Sequence, residues 1–270
     1  MTSKLIDVWD VETFDHALMA ELEAMKDLFC NYEQTEKMNY REHQASKEWI
    51  PHKENPYAAD RQAILEENIM PMMAQRIIRA WHYTRLTDDE ADFLKANGIY
   101  TSDLTTIRKR LDTQVAAGTI SATVADALYG SSPFYSQKEA RSGKFWMTSH
   151  PYDPNHHGVE LLLGHWGGEG VYFWLEDDEH IKLVQGIGRP RVIEMAIPLS
   201  LTTSAYSAAK AVIAAFVTAH GCEPDGSAFD LYATSALGAD AVLNVLTEGS
   251  PEFGALARGY PARFAEQQVG

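Results

Sequence analysis

Glu169 stands inside His165-Trp166-Gly167-Gly168-Glu169-Gly170, an acid bracketed by glycines. Glycines permit positive φ and close backbone approach, so the run reads as a built loop that presents a carboxylate. It reads equally as a plain turn with an exposed acid. Glu194 alternates with Val192 and Ala196, so its face decides whether it lines a site or meets solvent. Other motifs fail on their own terms. Gly186-Ile187-Gly188 lacks the third glycine of a dinucleotide fingerprint and precedes a strand, so it reads as a helix-to-strand loop. Gly143-Lys144 has no upstream partner glycine, and Ser207-x-x-Lys210 lies in an alanine-rich helix without companion motifs. His150, His156, His157 and His165 could bind a metal. No HExxH or carboxylate pattern fixes their geometry, so a solvated histidine-rich loop and no metal are expected. Arg108-Lys109-Arg110 is either a local patch for nucleic acid or a solvated helix face, the latter favoured.

Trp81-His82-Tyr83-Thr84-Arg85 is a short aromatic strand pattern, followed by a capped helix ending at Asn97-Gly98-Ile99. Phe145-Trp146-Met147-Thr148-Ser149 comes next, then Phe229-Asp230-Leu231-Tyr232-Ala233, with Leu237 and Val242 before a last strand. In this order the segments resemble the ADP-ribosyltransferase fold over about residues 78–248. The resemblance implies an α+β domain with a split β-sheet core, NAD as substrate and no metal. It implies transfer of ADP-ribose to a macromolecular acceptor, protein or nucleic acid, by a toxin or phage-defence effector, with a neutralising partner protein conceivable. Asp230 then takes the place of the catalytic carboxylate, with Glu169 and Glu194 as rivals. His82 would hold the adenosine-side ribose, Thr84 and Ser149 would border the same cleft, and Tyr83, Tyr100 or Tyr172 would stack on nicotinamide. Arg85 would meet the pyrophosphate through bidentate contacts, or else pair at the surface with Asp88 or Asp89.

Cleaving the nicotinamide–ribose bond passes through an oxocarbenium-like state, as in glycoside hydrolysis. A carboxylate beside the ribose stabilises that charge and can orient a hydroxyl or activate the acceptor. Two departures matter. Asp230 stands where the family usually has Glu, one methylene longer, and Ala228 stands two residues before it, so there is no Glu-x-Glu pair. The second departure disfavours arginine as the modified side chain. The first keeps open a non-catalytic binding protein of the same fold, and NAD glycohydrolysis is the enzymatic alternative.

The elements that must position these residues follow from periodicity. Phe14, Leu18, Leu22, Met25 and Phe29 recur at helical spacing after Asp10, a candidate N-cap. Residues 40–57 read as a connection, and a second helix runs from about Ala58 to Arg79, kinked near Pro71. Met70–Met73 reads as ordinary core. Thr87–Glu90 is a capping box, and the helix it opens ends at Gly98. Two more helices follow, around Leu104–Val115 and Ser121–Tyr129. Strands are expected at Lys144–Ser149, Val171–Leu175, Arg191–Ile197, Ala228–Ala233 and Val242–Leu246, with a helix at Ser204–His220. The chain so divides into a packed helical extension, 1–77, and an α+β domain, 78–270.

Composition sets outer limits. The 270 residues carry 38 acidic against 23 basic side chains, a net charge of −15, which argues against a broad phosphate-gripping surface. With 45% apolar and 10% aromatic residues a packed core is expected. Cys30 and Cys222 alone cannot make a disulfide framework or a thiolate zinc site. Asp7 and Asp10 fall where a signal peptide needs an apolar run, and the longest apolar stretch, Ala211–Val217, is far short of the ~20 residues of a membrane span. A soluble, cytoplasmic protein with no membrane partner is the expectation.

Overall fold

The computed structural model describes residues 4–46, 51, 53–224 and 228–261. It opens with a short strand β1 (Leu5–Ile6), then α1 (His16–Ala24) and the long α2 (Lys26–Ala45). A helical stretch follows as α3 (Ala58–Ile64), a π-turn at Leu65–Ile69 and α4 (Met70–Ala74), leading into β2 (Ile77–Leu86). Next come α5 (Asp88–Asn97), α6 (Leu104–Ala116), α7 (Ala122–Gly130), α8 (Lys138–Arg141) and β3 (Phe145–Thr148). Three helices, α9 (His157–Gly164), α10 (Glu169–Tyr172) and α11 (Asp178–Gly186), precede β4 (Arg189–Pro198). The order closes with α12 (Ala205–Ala219), β5 (Asp230–Ala233), β6 (Val242–Thr247) and α13 (Pro251–Gly254). No helix among the described residues is long and apolar enough to cross a membrane.

The chain forms two compact units. One comprises Met1–Arg79, Pro198–Phe229 and Gly259–Gly270, the other Ala80–Ile197 and Asp230–Arg258. The sequence reading draws a single boundary after residue 77. It thereby assigns α12 to the sheet domain, whereas this helix belongs with the N-terminal helices. The reason lies in its composition: Ala208, Ala209 and Ala211–Val217 are all buried. A helix apolar all round needs neighbours on every side, and α2, the π-turn and α4 supply them.

In this first unit Asp15, not Asp10, caps α1 by accepting from the Leu18 N–H, while Asp10 caps a short 3-10 turn at Val11–Thr13. The expected kink at Pro71 takes the form of the π-turn: the Met70 N–H reaches back to the Leu65 carbonyl, one residue beyond the α spacing. Pro71, without an N–H, then stands in the first turn of α4, where no donor is needed. Met73 is buried core. Of the connection expected at 40–57, residues 40–45 continue α2, and 47–50 and 52 lie outside the described residues.

In the second unit the strands run in the order β5-β3-β2-β4-β6. The β2/β3, β3/β5 and β4/β6 pairs are antiparallel. A separate helical core joins Ile107 and Leu111 of α6, Leu128 of α7, Trp166, Val171 of α10 and Val184 of α11. The segment expected as a strand at Val171–Leu175 is instead α10 and the turn after it. Gly167 and Gly168, both at positive φ, turn the chain there, and Val171 drops into that core rather than alternating across a sheet. The segment 150–158 is not wholly loop, since α9 starts at His157.

The Thr87–Glu90 capping box is present in full, and α5 stops at Gly98. Gly98 has φ +84°, and a Cβ there would stand 2.0 Å from the Leu237 carbonyl oxygen. That carbonyl accepts from the Ile99 N–H at 3.0 Å, so it is not free to retreat. Gly98→Ala is expected to cost about 1–3 kcal/mol from backbone strain alone, with the clash added. Gly118→Ala, also left-handed but facing open space, should cost nearer 1 kcal/mol. Urea unfolding of both variants checks the difference; equal midpoints would show that the Leu237 segment gives way.

Candidate active site

β2 and β3 are in register at Trp81↔Thr148, and Thr148 is in register with Asp230 on β5. Residues from three strands therefore stand in one row. Next to this row a side chain takes over from the ladder: His82 Nδ1 lies 2.7 Å from the Trp146 carbonyl oxygen. A cavity of about 480 Å³ opens here, wholly within the second unit, and Trp81, His82, Thr148 and Asp230 all line it. Pockets of this size take small ligands and cofactors.

Burial pushes the His82 imidazole down to about 4, and the Arg110 guanidinium adds to the effect against the pull of the Trp146 carbonyl. The ring is neutral at physiological pH. Because the carbonyl only accepts, the ring proton sits on Nδ1 and Nε2 keeps a lone pair, able to accept from a hydroxyl. Phe145 packs on the ring at 4.3 Å and fixes its plane.

Tyr83 is buried, its hydroxyl donating to the Tyr152 carbonyl at 2.9 Å. Tyr83 also lines the cavity, and this bond ties the 150–157 segment to β2. That segment is a ladder of rings, His150 on Tyr152 at 4.1 Å, Tyr152 on His156 at 4.7 Å and His156 on His157 at 4.3 Å. Of the four histidines expected in a solvated loop, His157 is exposed and His156 half-buried, while His150 and His165 are buried. Among the described residues no three His, Cys, Asp or Glu side chains are grouped to hold a metal ion. Thr84 and Tyr100 line the cavity, and the Phe93 ring meets Tyr100 edge-on at 6.2 Å.

The two carboxylates Asp230 and Glu169 both line the cavity. Desolvation first, then the Glu169 charge, raise the Asp230 carboxyl above its ordinary value. Glu169 pairs with Arg141, whose guanidinium lies over the Phe173 ring at 4.3 Å. The glycine turn before α10 makes this possible: at Gly167 a Cβ would meet Val171 at 2.2 Å, and at Gly170 it would meet Phe134 and Ile107.

Four sequence candidates lie elsewhere. Ile193 lines the cavity, so strand alternation turns Glu194 away, and its register partner is Asn244 on β6. Ser149 is fully buried outside the lining, and Thr148 occupies the position at the cavity, its hydroxyl donating to the His150 carbonyl at 2.7 Å. His82 and Ser149 thus do not share the cleft. Arg85 donates from Nε to the Ile187 carbonyl at 2.8 Å and is absent from the lining. Asp88 pairs instead with Arg191. Tyr172 packs on His165 at 4.9 Å, also outside the cavity.

Sequence reasoning missed Arg110, Arg141, Lys144, Tyr152 and His156, all of which line the cavity. Arg108-Lys109-Arg110 is split by the helix: Arg108 pairs outward with Asp112 and Asp126, while Arg110 turns inward. The signal was present, because Arg110 shares the phase of Ile107, Leu111 and Gln114, three buried residues.

No family model, curated protein or solved structure matches this chain. Burial also pushes the His150 imidazole down to about 4, with a contribution from His156. Unfolded histidine titrates near 6.5, so between about pH 6.5 and 4 the unfolded chain binds protons that native His82 and His150 refuse. Stability is expected to be full above pH 6.5 and to decline as pH falls toward 4. The Cε1–H resonances of both rings should stay fixed from pH 8 to 5; titration near 6.5 would overturn this assignment.

Proposed function

We propose that the second unit is an NAD-dependent ADP-ribosyltransferase acting on a macromolecular acceptor. The observation that carries the reading is the row Trp81–Thr148–Asp230: the three segments that resemble the family's are adjacent strands, and all three line one cavity with two carboxylates. His82, neutral and with Nε2 unprotonated, accepts from a ribose hydroxyl. Tyr100 is the tyrosine left to stack on nicotinamide, since Tyr83 is committed to Tyr152 and Tyr172 lies outside the cavity.

The nicotinamide–ribose bond breaks with its electron pair moving to the nicotinamide nitrogen, which leaves positive charge on the ribose carbon. Asp230, held beside a second carboxylate, faces that charge. The acceptor then bonds to the same carbon and gives its proton to a carboxylate, and Asp230 suits this because its raised pKa makes it a better base. Glu169, tied to Arg141, positions the mouth of the cavity. The test is incubation with NAD labelled in its adenylate half, together with cell lysate. Label on protein or on nucleic acid supports the transferase and names the acceptor class. Free ADP-ribose alone replaces transfer by hydrolysis. No turnover under either condition overturns the enzyme reading in favour of a binding protein.

A further inference from the structure

The first unit brings together the two cysteines of the chain, Cys30 and Cys222, which lie far apart in sequence. Both are free thiols. Cys30 is half-buried on α2, next to the fully buried Phe29, and Cys222 is buried just past the end of α12. Gly221, at φ +81°, turns the chain out of α12. Its N–H donates to the Thr218 carbonyl at 3.0 Å, and the Cys222 N–H reaches back to the Val217 carbonyl at 2.9 Å. This paired closure of a glycine-terminated helix fixes the Cys222 backbone. Three side-chain contacts then lay the turn against α1 and α2. His220 Nε2 stands 3.4 Å from Glu23 Oε1, Glu223 pairs with Lys37, and between them the Cys30 thiol is hydrogen-bonded to Cys222. Cys30 and Lys37 are two turns apart on α2 and share its face. The two sulfurs are thus held side by side by contacts on either side of them.

We propose that Cys30 and Cys222 form a redox modification site, where a hydroperoxide converts the two thiols to a disulfide that ties α2 to the end of α12. The site lies wholly in the first unit and is independent of the NAD reading of the second. Cys30, the more exposed sulfur, loses its proton and attacks the peroxide O–O bond. It keeps one oxygen as a sulfenic acid, and the other leaves as water or an alcohol. The Cys222 thiol then gives up its proton, its sulfur bonds to that of Cys30, and a water molecule leaves. Two thiols and one hydroperoxide so become one disulfide, one water and one alcohol, or two waters from hydrogen peroxide. Burial first, then Cys222, push the Cys30 thiol up to about 12. Thiolate is therefore scarce at neutral pH and the first step is slow, whereas the second finds its sulfur already in contact. The pair resists a brief exposure and yields to a sustained one. The bond closes the long loop between positions 30 and 222, and closing a long loop restricts the unfolded chain most.

The test treats the reduced full chain with hydrogen peroxide at mildly alkaline pH, where thiolate is less scarce. Intact mass, peptide mapping without reduction and thermal unfolding are then measured. The parent protein is expected to lose two hydrogens, to run as a single chain on a non-reducing gel and to yield one Cys30–Cys222 cross-linked peptide. Dithiothreitol should reverse all three. The unfolding midpoint should rise by about 5 °C on oxidation. Cys222→Ala should lose no hydrogens and instead leave Cys30 as a sulfenic acid that dimedone traps. Cys30→Ser should show neither product. If Cys222→Ala unfolds, Cys222→Ser is measured in its place with the same expectation. Two thiols unchanged by the treatment, sulfinic or sulfonic acid at Cys30 with Cys222 still reduced, or a disulfide between two chains would overturn the proposal. An unchanged midpoint after the bond has formed would overturn its role as a tie between α2 and α12.

Discussion

Asp230→Asn is expected to reduce NAD cleavage at least 100-fold in kcat while leaving the unfolding midpoint unchanged. The amide keeps the shape and removes the charge, so any contribution made to the developing ribosyl cation is lost in the transition state, about 3 kcal/mol or more. Asp230 stands at the start of β5, its carboxyl partly desolvated at the cavity, and the core residues of that strand are Leu231 and Ala233, so the substitution touches no core packing. Glu169→Gln is the matched comparison. It releases Arg141 and removes the second cause of the raised Asp230 carboxyl. The acid limb of the rate profile, which rises as Asp230 ionises, should then move to lower pH with a smaller loss of kcat. Turnover retained in Asp230→Asn and lost in Glu169→Gln would transfer the catalytic role to Glu169.

Local signals in the sequence located most elements of the second unit, and phase decided where residue-level readings went astray. β2, the Thr87–Glu90 box, α6, β3, β4 and β6 are written in short-range patterns, and the structure has them. α11 carries its own start signal, Asp177 at the N-cap with Asp178 and Glu179 in the first turn. Val171–Leu175 is too short an apolar run for periodicity to tell a strand from a buried helical turn. At the cavity, His82 and Asp230 belong to strands whose pairing partner β3 is common to both, so order along the chain was enough. Ser149, Glu194 and Arg85 each depend on a single step of alternation, and a one-residue difference sends a side chain to the other face. Tyr172 was lost with its strand. Arg110 was hidden by its charge: a basic triplet suggests solvent, whereas its helical phase points to the core.

Glu90→Ala is expected to cost 3–5 kcal/mol, on the order seen when one partner of a buried ion pair is removed. One carboxylate here closes the N-terminal capping box of α5 through Thr87, accepts the Trp166 indole N–H and neutralises Arg110. Removing it leaves a buried guanidinium without its counter-charge and an indole without an acceptor, each a desolvation penalty in addition to the lost cap. Glu90→Gln should cost less, since the amide oxygen can still accept from one donor. Burial alone would raise this carboxyl, yet the Arg110 charge and the donated hydrogen bonds hold it below its ordinary value. A lowered folded pKa means that the pair stabilises above the unfolded carboxyl value, near 4.3, and that this stability is lost as pH falls through the lower folded one. Urea unfolding of Glu90→Ala, Arg110→Met and the double variant at pH 7 closes a cycle that isolates the pair. The double variant should be more stable than either single change taken alone, because no uncompensated charge remains. If the two single losses sum to that of the double variant, Glu90 acts as a helix cap only, and the Arg110 guanidinium is not held by it.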